Sequence, residues 1–115
     1  MTTEQLTAIL AERVMGWRVA PGRLMMDRRG WKPAWRFQPI KRREDAFRLL
    51  DAAKPVEYNI TARKGGGFSV HMVLAGRAGS ATEVSESRAI TYAVARAIGL
   101  DPAASPPPKT GADSR

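Results

Sequence analysis

Val56-Glu57-Tyr58-Asn59-Ile60-Thr61-Ala62-Arg63-Lys64-Gly65-Gly66-Gly67-Phe68-Ser69-Val70-His71-Met72-Val73-Leu74 decides the fold class. Val56, Tyr58, Ile60 and Ala62 alternate with Glu57, Asn59, Thr61 and Arg63, the period of a half-buried strand. Lys64-Gly65-Gly66-Gly67 turns the chain, and Phe68, Val70, Met72 and Leu74 alternate along the return. The polar residues between them leave one face of this hairpin wet or thinly covered.

Working outward from the hairpin, Ala46, Phe47, Leu49, Leu50 and Ala53 recur at helical spacing before it. Glu44 and Asp45 favour the start of that helix through its dipole, and Pro55 ends it, which places it at 43–54. After the hairpin, Gly76 to Ser80 reads as a loop. A last helix is expected from about Ser85 to Ile98, capped by Ser85 or Ser87 and ended by Gly99. Ala89, Ile90, Ala93, Val94, Ala97 and Ile98 make its buried stripe.

At the other end, Thr2 and Gln5 stand at capping-box spacing, and Leu6, Ile9, Leu10 and Val14 follow with helical period. This predicts a helix over 3–15, stopped at Gly16, with Trp17 folded back onto its end. Residues 18–39 read as extended chain with turns at Pro21-Gly22 and Arg28-Arg29-Gly30. The expected strands there are Arg23-Leu24-Met25-Met26 and Ala34-Trp35-Arg36-Phe37. The expected fold is α+β: a small antiparallel sheet of about four strands with three helices, in the order α-β-β-α-β-β-α.

At 115 residues, residues 1–99 make one compact domain. Residues 100–115 are Pro-rich, with almost nothing apolar to offset ordering entropy, and are expected to be disordered. No apolar run approaches the roughly 18 residues that cross a bilayer, and no signal-peptide pattern opens the chain. With no cysteine, disulfides, thiolate metal sites and cysteine nucleophiles are excluded, and a reducing cytoplasm is the expected setting. Of the net charge of +8, six units gather in the first 50 residues, which carry eleven basic and five acidic side chains, a distribution that favours polyanionic partners.

Leu10-Ala11-Glu12-Arg13-Val14-Met15-Gly16-Trp17 resembles the opening of the phage ABA sandwich domain family, whose first helix ends in a Val-Met-Gly-Trp-like signature. Asp45-Ala46-Phe47-Arg48-Leu49-Leu50 and Ser87-Arg88-Ala89-Ile90-Thr91-Tyr92-Ala93-Val94 resemble its later helices, with Phe47 where the family commonly has Trp. The resemblance spans roughly residues 3–99. It implies helices on both faces of a sheet and a phage or prophage setting, and it carries over no site residues.

One segment suggests an activity. Between residues 13 and 48, eleven Lys or Arg surround three Trp and two Phe, most densely in Asp27-Arg28-Arg29-Gly30-Trp31-Lys32-Pro33-Ala34-Trp35-Arg36-Phe37. Aromatic faces that stack on bases, beside cations that track phosphates, are the chemistry of single-strand binding. The candidate nucleic-acid contacts are Arg28, Arg29, Trp31, Lys32, Arg36, Lys41, Arg42 and Arg43. Trp17, Trp35 and Phe37 are expected in the core, while Trp31, in the turn Gly30-Trp31-Lys32-Pro33, could serve either role. Lys41-Arg42-Arg43 precedes a helix N-terminus, but Glu44 and Asp45 would repel a phosphate there and pair with the same cations.

Other features point away from chemistry. Gly65-Gly66-Gly67 joins two strands and lacks the Gly-Lys-Ser/Thr ending of a phosphate loop. His71 is the only histidine, too little for a metal site. The serines and the Glu83/Glu86 pair fit helix capping or the tail better than catalysis, so no enzyme, cofactor or metal is expected. The leading expectation is a small non-catalytic phage-type accessory protein that touches nucleic acid. The alternative is a protein-interaction or homo-oligomerisation module using an edge strand or the patch Leu24-Met25-Met26.

Overall fold

Thr2 opens the first helix: its hydroxyl accepts from the Gln5 N–H at 3.0 Å, and the Gln5 side-chain oxygen accepts from the Thr2 N–H at 2.8 Å. This is the expected capping box, and it satisfies donors that a helix start leaves free. In the computed structural model, which describes residues 2–27 and 30–102, the helix α1 runs Thr3–Arg13. Gly16 takes the left-handed conformation (φ +75°), and the Trp17 N–H donates back to the Ala11 carbonyl. Trp17 thus returns to the helix end, as its position after Gly16 predicts.

The next segment forms a three-stranded antiparallel sheet, β1 (Arg18–Ala20), β2 (Arg23–Asp27) and β3 (Gly30–Pro33). Pro21-Gly22 makes the first turn; Arg28 and Arg29, of the expected second turn, lie outside the described residues. The strand expected at 34–37 is displaced. Pairing ends at Pro33, which has no N–H to donate, and Ala34–Arg36 coils into a single 3-10 turn. The Ala34 N–H donates to the Gly22 carbonyl and the Gln38 side-chain amide to the Trp35 carbonyl, so these polar groups are held outside the ladder.

The helix α2 (Arg43–Ala53) ends at Lys54, a left-handed residue (φ +53°) before Pro55. The predicted hairpin follows as β4 (Glu57–Ala62) and β5 (Phe68–Leu74), in register Tyr58↔Met72 and Ile60↔Val70. The segment expected to be a loop from Gly76 begins a further strand instead, β6 (Arg77–Glu83), paired along all of β5. Ala75 (φ +47°) and Gly76 (φ +82°) supply the two positive-φ positions of a tight hairpin turn. The last helix, α3 (Glu86–Ala97), is capped by the Ser85 hydroxyl, which accepts from the Arg88 N–H.

Among the described residues the fold is therefore α+β with three helices, and the strands divide into two three-stranded antiparallel sheets, β1-β2-β3 and β4-β5-β6, rather than one sheet of about four. Side chains from all three helices and both sheets meet in one apolar cluster, with Leu6, Leu10, Leu24, Phe37, Met72 and Ile90 fully buried. The expected tail, 100–115, lies outside the described residues beyond residue 102. At its start Leu100 packs against the core and Pro102 is buried.

The tightest contact is between α3 and β6. A Cβ on Gly79 would overlap the Ala93 carbonyl oxygen and the Ala97 nitrogen, so helix and strand backbones touch there. Ala89, Ala93 and Ala97, four residues apart, give that helix face its flatness, and Ala81 continues the floor. The opposite face of the second sheet carries Asn59, Thr61, His71, Ser80 and Thr82, all exposed. Among the described residues no helix covers that face, which is the wet side that the alternation predicts. No helix among them is long and apolar enough to cross a membrane.

The backbone contact at Gly79 is open to a direct check. Gly79→Ala lowers stability by about 1–3 kcal/mol through overpacking, measured as a lower urea midpoint.

Candidate nucleic-acid interface

Side-chain alternation along β3 sets which groups meet. Arg23 pairs with Pro33, and Trp31, two residues earlier, shares their face of the first sheet. The Arg23 guanidinium sits 4.8 Å from the Trp31 ring centroid, and Trp31 remains 39% exposed. Lys32 pairs with Leu24, which is buried, so it stands half-buried on the face opposite Trp31. Trp31 and Lys32 are thus neighbours in sequence but do not share a surface. Arg28 and Arg29 lie outside the described residues.

Trp35 departs from its expected place in the core. The 3-10 turn breaks the two-residue alternation, so Trp35 projects outward at 59% exposure while Phe37 is completely buried. The Arg36 guanidinium lies 5.6 Å from the Trp35 ring centroid. Phe37 packs edge-on against Trp17 with ring centroids 4.9 Å apart, and Arg48 covers the Trp17 ring at 5.7 Å. Phe37 holds the core position that the sequence predicts for it, and Trp17, half-buried, packs against the core from its edge.

The segment bearing Trp35 is anchored on its far side. Asp45 is buried, and its carboxylate accepts from the Gln38 N–H at 2.9 Å. The buried Ser87 hydroxyl of α3 donates to the Ile40 carbonyl at 2.9 Å. Asp45 therefore stabilises the turn before α2 rather than pairing with Lys41-Arg42-Arg43. Arg43 pairs with Glu86 at 2.9 Å and covers the Phe47 ring at 5.5 Å, while Lys41 and Arg42 are exposed. In the patch expected at Leu24-Met25-Met26, Leu24 is buried in the core and Met25 half-buried; the Met26 side chain is outside the described residues.

A mainly apolar groove of about 620 Å³ runs beside Trp35. Thr7 and Ala8 of α1, Pro21 and Leu24 of the first sheet's turn and strand, and Trp35, Ile40 and Lys41 from the segment before α2 are among the residues that line it. Sequence reading missed this groove because its walls come from three separated segments. It also missed Arg23, whose pairing with Trp31 depends on the β2–β3 register. Among the described residues no group of three or more His, Cys, Asp or Glu gathers to hold a metal.

The fold is shared with a solved structure. A crystal structure of a phage protein from Bacillus cereus ATCC 14579 superposes with a TM-score of 0.71, covering 88% of this chain and 91% of that one at 13% sequence identity. No protein-family model and no curated protein matches the chain.

The two aromatic neighbours at 35 and 37 separate surface from core. Phe37→Ala costs about 3–5 kcal/mol of stability in denaturant unfolding. Trp35→Ala costs less, about 1–2 kcal/mol, because more than half of that residue stays in contact with water.

Proposed function

We propose that the chain is a non-catalytic phage or prophage accessory protein of the phage ABA sandwich kind that binds single-stranded nucleic acid in the cytoplasm. The observation that carries the binding reading is the pair of exposed tryptophans, Trp31 and Trp35, each faced by an arginine on a chain of net charge +8. A solvated indole beside a guanidinium offers a base both a stacking surface and a neighbouring cation for its phosphate. Lys41, which lines the groove, and Arg42 beside it are exposed and extend the cationic track. The phage setting is supported by the fold shared with the Bacillus cereus phage protein and by the Val14-Met15-Gly16-Trp17 signature. One departure from a two-sided sandwich stands: the outer face of β4-β5-β6 is open among the described residues.

In this reading Arg23, Arg36, Lys41 and Arg42 neutralise phosphate while Trp31 and Trp35 stack. Arg28 and Arg29 belong to the same basic block in sequence, and Lys32 and Arg43 contribute charge at a distance. Recognition is independent of sequence, because stacking and phosphate contact read no base edge.

Fluorescence anisotropy of labelled single-stranded DNA and RNA tests this. With about four cations engaged, affinity falls roughly 50-fold between about 50 and 200 mM salt. The variant Trp35→Ala/Arg36→Ala loses about tenfold or more at low salt, through one stacking contact and one phosphate contact. Absence of binding at low salt contradicts the reading.

A further inference from the structure

β4 is an unprotected sheet edge, unlike the other edges of the fold. The first sheet is edged by β1, only three residues long, and by β3, which ends in Pro33. The free edge of β6 is blunted by Arg96, whose guanidinium donates to the Ser80 carbonyl at 2.8 Å. β4 runs six residues without an internal proline, and among the described residues no strand pairs with its outer side. Natural sheets blunt such edges, and one left open is a pairing site.

The polar groups that this edge offers follow from the hairpin register. The Arg63 N–H donates to the Gly67 carbonyl, so Arg63, Thr61, Asn59 and Glu57 turn their backbone groups toward β5. Tyr58, Ile60 and Ala62 turn theirs outward. The apolar face at this edge is also open. α3 lies over β5 and β6, and Tyr58, on the core face beside Met72, is 51% exposed; Val56 is 75% exposed.

We infer that β4 pairs antiparallel with β4 of a second copy of this chain, with Ile60 at the two-fold axis, making a continuous six-stranded sheet. The strand is self-complementary in that register. Ile60 meets the partner's Ile60, and Tyr58 meets the partner's Ala62, large against small, with each of these pairs exchanging two backbone hydrogen bonds. On the polar face Asn59 meets the partner's Thr61, and Glu57 meets the partner's Arg63, twice by symmetry. A register shifted by two residues puts Glu57 opposite the partner's Thr61 in one direction and the partner's Gly65 in the other. Neither is an ion pair, so charge selects the symmetric register centred on Ile60.

Sedimentation velocity of the full chain, up to about 0.2 mM, reads the equilibrium directly. A monomer–dimer equilibrium is expected. Glu57→Arg and Arg63→Glu each weaken it by about tenfold, since each places like charges opposite one another twice. The double variant Glu57→Arg/Arg63→Glu restores wild-type dimerisation, which separates lost pairing from lost folding. Amide exchange at Tyr58, Ile60 and Ala62 slows as concentration rises. A chain that stays monomeric, a dimer indifferent to both single swaps, or a double variant that remains weak overturns the proposal.

Discussion

Because a side chain at position 79 would overlap the Ala93 carbonyl and the Ala97 nitrogen, α3 and β6 can approach to backbone contact only with glycine there. That contact sets where the helix lies on the sheet. Seated on β6 and β5, α3 buries Val70, Met72 and Ala81 beneath Ala89, Ala93 and Ala97. It also leaves β4 beyond its reach, with Tyr58 and Val56 exposed. The placement of one helix thus determines both the core of the second sheet and its open edge.

The same helix positions the basic surface. Ser87 holds the Ile40 carbonyl, Glu86 pairs with Arg43, and α2 packs alongside with Asp45 bonded to the Gln38 N–H. The segment 37–45 is therefore fixed at both ends, by Phe37 in the core and by Asp45 at the helix start. Between the first sheet and this anchor the chain makes a single 3-10 turn, and that turn presents Trp35 to solvent. The surface pair Glu86–Arg43 adds little energy by itself; the buried hydrogen bonds do more of the anchoring.

The elements with strong local signals were legible. The capping box at Thr2–Gln5, the stop at Gly16, the α2 stripe and the β4–β5 alternation each state their structure in a few neighbouring residues. β6 was not, because Arg77-Ala78-Gly79-Ser80-Ala81-Thr82-Glu83 has no large apolar alternation; its small residues are required by contact with α3. Its turn, Ala75-Gly76, lacks the Asn or Asp that usually marks a positive-φ pair. Trp35 and Phe37 looked like one face of a strand, and only the end of pairing at Pro33 separates them. At the site, charge and aromatic content were readable, whereas the Arg23–Trp31 pair and the groove depend on register and on segments distant in sequence.

The indole N–H signals offer the most direct test of the account, since the chain has three tryptophans in three environments. Titration of isotope-labelled protein with oligothymidine, followed by NMR, should shift the Trp31 and Trp35 indole resonances while Trp17, packed on Phe37 beneath Arg48, stays in place. Indole signals that remain unmoved at saturating oligonucleotide, or a response confined to Trp17, would contradict a nucleic-acid surface built on Trp31 and Trp35.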